Sequence, residues 1–182
     1  MGTPYARAAG PQGRRLSAPG AIDVVRRIEA SLAQGGFTVT RDSVAGRQAV
    51  IGRATRLGRR RVFVLVALFK AGMANREHLD RFLDEAGQYA ATVKGGLGAT
   101  ATAVAVAVIE AGGPGGTEAW ALAGMAAKPQ PGRAPAFPVL VEVGPSGPGS
   151  EEQGAGRVVC AENPTDLRGL IREHVERSLR LG

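Results

Sequence analysis

The chain has 182 residues, of which 44% are hydrophobic; this suits one domain with its own core and excludes wholesale disorder. No apolar run approaches the roughly 18–20 residues that cross a bilayer, and the single cysteine excludes an intramolecular disulfide. We therefore expect a cytoplasmic protein that does not contact a membrane. The formal net charge of +7 leaves nucleic acid open as a partner.

Two segments are predicted to lie outside regular structure. Residues 1–20 are rich in Gly, Pro and Ala, contain Arg but no acid, and show no apolar period, which predicts a disordered basic leader. Residues 21–182 are predicted to form a single domain. Within it, residues 144–156 (GPSGPGSEEQGAG) are predicted to be a flexible loop.

The sequence of the first third of the domain predicts one helix and three strands. Apolar residues at helical spacing indicate a helix over 21–34, with Ile22, Val25, Ile28 and Leu32 facing the core. Strands are predicted over 37–44, 48–55 and 61–69, with turns between them. The third strand, RVFVLVALF, is apolar on both faces, so we expect it to be central and covered on both sides.

The remainder predicts three helices and three strands. Asn75 is expected to cap a helix that runs to about Lys94. Strict alternation over 99–110 indicates a strand, although alanine favours helices. A short helix over 117–128 and strands over 137–143 and 157–161 follow. The last helix is predicted to begin at Pro164, with Asn163 as its cap and with its apolar side formed by Leu167, Leu170, Ile171, His174 and Leu179.

The element order is therefore α-β-β-β-α-β-α-β-β-α. It predicts an α+β domain in which helices pack on a mixed sheet that contains an antiparallel three-strand meander. The opening order is similar to the core of restriction-endonuclease-like folds, which place an acid two residues before a lysine on one strand. Lys70 occupies the lysine position, but Leu68 occupies the acid position, and no Asp or Glu lies between Asp42 and Glu77. The resemblance is therefore one of element order only.

Arginine concentrates in one part of the chain. Residues 1–61 carry a net charge of +9, whereas residues 62–182 carry −2. Seven arginines lie on or between the three predicted strands, where they can contact phosphates. They are Arg41, Arg47, Arg53, Arg56, Arg59, Arg60 and Arg61. A solvated strand edge that discourages aggregation, or a bias toward GC-rich codons, explains the same pattern.

Few residues suggest catalysis. His78 and His174 are possible general bases, and Cys160 is a possible nucleophile, but their spacing matches no known catalytic arrangement. One cysteine and two histidines do not supply the usual ligands of a zinc site. The GGPGGT segment at 112–117 lacks the phosphate-loop lysine and the glycine pattern of a dinucleotide site. The sequence therefore predicts no catalytic residue, metal or cofactor.

Three hypotheses for function remain. The first is a noncatalytic interaction module that self-associates or acts as an adaptor, with Trp120 and Met125 as interface residues. The second is a nucleic-acid-binding protein that uses the seven arginines, with affinity that falls steeply with salt. The third is a degenerate or unrecognised enzyme.

Overall fold

The computed structural model describes residues 20–56, 60–70, 73–93, 100–110, 120–121, 133–144, 156–161 and 165–180. Two long helices and six strands are defined within these ranges. The helices are α1 (Ala21–Gln34) and α2 (Arg76–Val93). The strands are β1 (Thr38–Val44), β2 (Arg47–Arg56), β3 (Arg60–Phe69), β4 (Thr100–Glu110), β5 (Ala136–Val143) and β6 (Arg157–Cys160).

The six strands form one mixed sheet in the order β1-β2-β3-β4-β5-β6. The first three strands form the predicted antiparallel meander, β3 to β5 run parallel, and β6 returns antiparallel to β5. Among the described strands, β1 and β6 are thus the edges. The expected α+β class with a mixed sheet is confirmed.

Alternation along the central strands divides the core in two. On one face, Phe63 and Leu65 of β3 and the alanines of β4 pack with α2. On the other face, Val64 and Val66 of β3 and the valines of β4 pack with α1 and the C-terminal residues. The predicted central position of β3, covered on both sides, is confirmed.

The buried side of α1 differs from the predicted one. Ile28 and Leu32 are buried as expected, but the stripe continues through Ala21 and Val24 rather than through Ile22. Ile22 is 55% exposed, which corrects its assignment to the core. The two stripes are offset by one residue at two positions, Ala21 for Ile22 and Val24 for Val25, and both fit helical spacing, so the sequence pattern alone does not distinguish them.

The C-terminal helix consists of three consecutive segments. Residues Thr165–Leu170 and Arg177–Arg180 are α-helical, and Ile171–Glu176 between them forms a π-helix. The five residues predicted to form its apolar side are all buried. A π-helical turn inside a helix is rare and often accompanies a special packing or functional requirement.

Several predictions fall on residues outside the described ranges. These are the leader up to residue 19, most of the short helix over 117–128, the loop over 145–155 and the cap at Asn163. Within the described part of the chain, no helix is long and apolar enough to cross a membrane.

Candidate nucleic-acid interface

Two arginines share one face of the β2–β3 hairpin. Arg53 lies opposite Phe63, and Thr55 lies opposite Arg61. Arg53 and Arg61 are therefore diagonal neighbours on the α2 face, with Cα atoms about 7–8 Å apart in a ladder of this kind. Neither forms a salt bridge with a carboxylate of the described residues.

Arg60 occupies the opposite face of the same hairpin. It lies opposite Thr100 of β4, and its guanidinium donates from Nε and from a terminal nitrogen to Oγ1 of Thr102, at 3.3 and 3.2 Å. Arg56 is the strand partner of Arg60. The side chain of Arg56 and all of Arg59 lie outside the described part of the structure.

The other two predicted arginines have partners elsewhere. Arg41 of β1 donates two hydrogen bonds to the carboxylate of Glu29 on α1, at 3.0 and 2.6 Å, and this hydrogen-bonded pairing raises the pKa of Arg41. Arg47 lies over the ring of Phe69, 4.4 Å from its centroid, which is a cation–π contact. The seven arginines thus do not form one surface, because neighbouring residues of a strand point to opposite faces.

An aromatic side chain accompanies Arg53. Tyr89 of α2 is half-buried and packs edge-to-face on Phe63, the strand partner of Arg53, with ring centroids 6.2 Å apart. Burial raises the pKa of the Tyr89 hydroxyl, the Asp42 carboxylate raises it further, and the Arg53 guanidinium lowers it. Tyr89 therefore stays protonated at neutral pH and presents a neutral hydroxyl near Arg53.

Carboxylates cluster away from this hairpin end. The four acids of α2 are Glu77, Asp80, Asp84 and Glu85, all in its first three turns. The part of α2 that runs on to Val93 carries none. Six arginines elsewhere in the described chain do pair with acids; they are Arg26, Arg76, Arg81, Arg133, Arg157 and Arg180. Arg53 and Arg61 thus differ from these six arginines, because neither pairs with an acid of the described residues.

The three candidate catalytic side chains are held in separate environments. His78 is partly exposed, with Nδ1 3.1 Å from the carbonyl oxygen of Met73, and its amide donates to the capping side chain of Asn75. Cys160 ends β6, where burial and the Glu176 carboxylate raise the pKa of its thiol against the lowering effect of Arg168. A raised pKa disfavours the thiolate that a nucleophilic cysteine requires.

Sequence reasoning did not anticipate the partners of His174. Its ring is 2% exposed and lies with Nδ1 3.1 Å from Oγ of Ser31 on α1. Its Nε2 lies 3.8 Å from a carboxylate oxygen of Glu173, and Phe37 packs edge-on against the ring. Ser, His and Glu are the residue types of a hydrolytic triad, but the ring is enclosed and packs closely on Gly35. The arrangement ties α1 to the C-terminal helix.

The remaining expectations concern the restriction-endonuclease-like order of elements, a metal site and the two interface residues. Leu68 is partly buried and Lys70 is exposed at the end of β3. No group of three His, Cys, Asp or Glu side chains comes together in the described residues in a way that would hold a metal ion. Trp120 is 1% exposed in the α2-side core, and Met125 lies outside the described ranges.

Comparison with known proteins gives no further guide to function: no protein-family model, curated protein or solved structure matches this chain.

Proposed function

We propose that this protein is a noncatalytic nucleic-acid-binding module that contacts the sugar–phosphate backbone with the arginines of its β2–β3 hairpin end. The observation that carries the proposal is the pair Arg53 and Arg61, which share one face without a carboxylate partner among the described residues. Two like charges so close together repel, and an anion placed between them relieves that repulsion.

A phosphate backbone suits this geometry better than a small anion does. Arg60 extends the positive charge to the other face of the hairpin, and Arg56 is its strand partner. A polymer that follows the hairpin end can contact arginines on both faces, whereas one small anion reaches only one. Guanidinium groups bind phosphate oxygens through planar, paired hydrogen bonds.

The expected binding does not depend on base sequence. Readout of single-stranded bases normally requires exposed aromatic rings for stacking. Phe63 and Phe69 are buried, and Tyr89 is the aromatic residue near Arg53 that keeps partial exposure. Phosphate contacts position a protein on nucleic acid without carrying sequence information.

The test is a fluorescence-anisotropy titration of labelled DNA and RNA, as duplexes and as single strands, at several salt concentrations. We expect a Kd in the range of roughly 10⁻⁶ to 10⁻⁴ M at physiological salt and much tighter binding at low salt. The double variant Arg53→Glu/Arg61→Glu is expected to weaken binding at least tenfold. It should also reduce the slope of log Kd against log salt by about 2, because two phosphate contacts are lost.

A matched control separates this site from general charge attraction. The variant Arg76→Glu/Arg180→Glu changes the net charge by the same amount, but at arginines that already pair with Asp80 and Glu176. We expect it to retain most of the affinity. An equal loss in both variants, equal binding of polyglutamate, or no binding even at low salt would contradict the proposal.

A further inference from the structure

The second candidate surface is β1, an edge strand of the sheet. Its seven residues pair with β2 on one side, and no described strand pairs with the other. Only Val44 is buried, and the pattern along Thr38–Val44 is otherwise exposed or intermediate. The strand therefore presents a row of backbone donors and acceptors to solvent, on which another strand can be added.

β1 carries few of the features that usually protect an edge strand; its one charge without an ion pair among the described residues is Asp42. Its register with β2 runs without a break from Thr38 opposite Arg53 to Val44 opposite Arg47, so there is no bulge. It contains no proline or lysine. Its one positive side chain, Arg41, is neutralised by Glu29. At the opposite edge, β6 is only four residues long and is a much smaller target.

We infer that β1 pairs antiparallel with β1 of a second copy of this chain, around a two-fold axis at Thr40, to form a continuous twelve-stranded sheet. A strand edge suits such a dimer because its alternating donors and acceptors are self-complementary under a two-fold rotation. Two ion pairs lie near the strand, Arg41 with Glu29 and Arg26 with Asp23, and Asp42 adds one negative charge on β1 itself. A second copy can approach here without the repulsion expected at the arginine hairpin.

Like charges disfavour an axis at Asp42 or Arg41, and an axis at Val39 or Ser43, nearer an end of the strand, pairs fewer residues of β1. A two-fold axis perpendicular to the sheet keeps each face on its own side, so paired residues differ by an even number of positions. An axis at Asp42 places two carboxylates opposite each other, and an axis at Arg41 does the same with two guanidiniums. An axis at Thr40 instead pairs threonine with threonine and sets Thr38 opposite the partner's Asp42, both of which are favourable cross-strand pairs.

The exposed apolar surface of α1 lies toward the same edge. Ile22 precedes Glu29 by two helical turns, so the two residues share a side of the helix. Glu29 bonds to Arg41 of β1, and this side therefore faces the edge strand. Ile22 is 55% exposed, and Val25 beside it is only partly buried. The interface remains small, so we expect dissociation in the micromolar range rather than a permanent dimer.

The first experiment is sedimentation equilibrium of the full chain from 1 to 200 µM (a range of about two decades around the affinity expected for a small interface). Thr40→Asp places two new carboxylates at the axis and is expected to weaken the dimer at least tenfold. Thr55→Asp adds the same charge to an exposed threonine of β2 and should leave the dimer intact. A monomer throughout the range, or a dimer that both substitutions affect equally, overturns the inference.

Mixing variants tests the axis itself. Thr40→Lys alone should also weaken the dimer, because it opposes two ammonium groups, whereas an equimolar mixture of Thr40→Asp and Thr40→Lys should restore it. If the axis lay at Arg41 instead, Thr40→Lys would face the partner's Asp42 and strengthen the homodimer, which would contradict the register. In a Cys160→Ser background, Thr40→Cys should form an intermolecular disulfide that Thr55→Cys does not form.

Discussion

The two faces of the sheet bury the same strands with side chains of different size. On the α2 face, β4 contributes Ala101, Ala103, Ala105 and Ala107, and the core there is completed by large rings such as Phe63 and Phe82. On the other face, β4 contributes Val104, Val106 and Val108, which pack with α1 and the C-terminal helix. Small side chains let a helix approach the strands closely, whereas branched side chains fill the space themselves.

Close approach is visible where α2 passes the start of β5. A Cβ atom added to Gly87 of α2 would lie 2.8 Å from the carbonyl oxygen of Ala134. The amide of Ala134 also donates a 3.0 Å hydrogen bond to the carbonyl oxygen of Gly87. At this point α2 contacts the segment before β5 backbone against backbone, and we expect the α2 face to tolerate added volume poorly.

The largest expected effect comes from enlarging the alanine face. Ala105 lies between Leu65 and Pro138 in the sheet and is fully buried. We expect Ala105→Leu to lower the free energy of unfolding by about 3 kcal/mol, at the upper end of the usual cost of overpacking. Val106→Ala, on the opposite face, creates a cavity and should cost about 2 kcal/mol. Urea unfolding followed by circular dichroism measures both.

If Ala105→Leu costs less than about 1 kcal/mol, the alanine face has free volume and the distinction between the two faces is wrong. A cost well above that of Val106→Ala supports it.

The second prediction concerns the valine face, where one position is as crowded as any on the α2 face. A Cβ atom on Gly35 would overlap Cε1 of His174, whose ring is buried and held near Ser31. Gly35 has φ −76°, which any residue adopts, so the cost of Gly35→Ala is purely steric. We expect a loss of about 2 kcal/mol.

A double-mutant cycle checks this cause. In a His174→Ala background the ring is gone, and Gly35→Ala should then cost almost nothing. Gly36→Ala is a useful comparison, since Gly36 has φ +80° and an added Cβ there meets none of the described atoms within 4 Å. It should cost about 1 kcal/mol whether or not His174 is present. Additive losses for Gly35 and His174 would exclude the steric explanation.

The third prediction compares two helical glycines. Replacing glycine by alanine inside a helix normally stabilises by up to about 1 kcal/mol. An added Cβ on Gly169 meets no atom of the described residues within 4 Å, so Gly169→Ala should show this gain. At Gly87 the carbonyl oxygen of Ala134 is in the way, so Gly87→Ala should instead destabilise by about 1 kcal/mol. The two glycine-to-alanine substitutions are therefore expected to change the free energy of unfolding in opposite directions. Equal gains at both positions would show that α2 can move away from the sheet.

Much of this fold follows from local pattern. The continuous apolar run over 61–69 indicated a strand covered on both sides, and the alternation over 99–110 outweighed the helix preference of alanine, because burial depends on which face a residue occupies. Asn75 caps α2 as expected, through a hydrogen bond from the amide of His78. These features depend on neighbours within a few residues.

The features that sequence reasoning missed depend on distant contacts. Ser31 and His174 are 143 residues apart, and no local pattern brings them together. The π-helical turn contains His174, which packs on Gly35, and a helix predicted from the sequence alone is regular. The division of the seven arginines between two faces was accessible in principle, because a two-residue turn at 45–46 fixes the register of β1 and β2 and the period of two then assigns the faces.

The smallest expected change in the free energy of unfolding comes from substitutions in that turn, which also contacts α2. Ala45 has φ +54° and Gly46 has φ +69°, a pair of left-handed residues typical of a tight hairpin. The amide of Ala45 donates to the carboxylate of Glu85 on α2. Ala45→Asn keeps this amide and suits the left-handed conformation better than alanine does, so it should raise the free energy of unfolding by about 0.5 kcal/mol.

Gly46→Ala should lower the stability by about 1 kcal/mol, because it places a side chain at a second left-handed position. Adding Glu85→Gln to Ala45→Asn should remove only part of the gain in the free energy of unfolding. The amide of residue 45 still forms its hydrogen bond, in a weaker form, and asparagine still prefers the left-handed conformation. Thermal unfolding of the wild-type chain, the three single variants and the Ala45→Asn/Glu85→Gln double variant measures these differences. If the double variant lost the whole stability gain of Ala45→Asn, then the carboxylate of Glu85, rather than the backbone conformation of the turn, would determine how β1 joins the sheet.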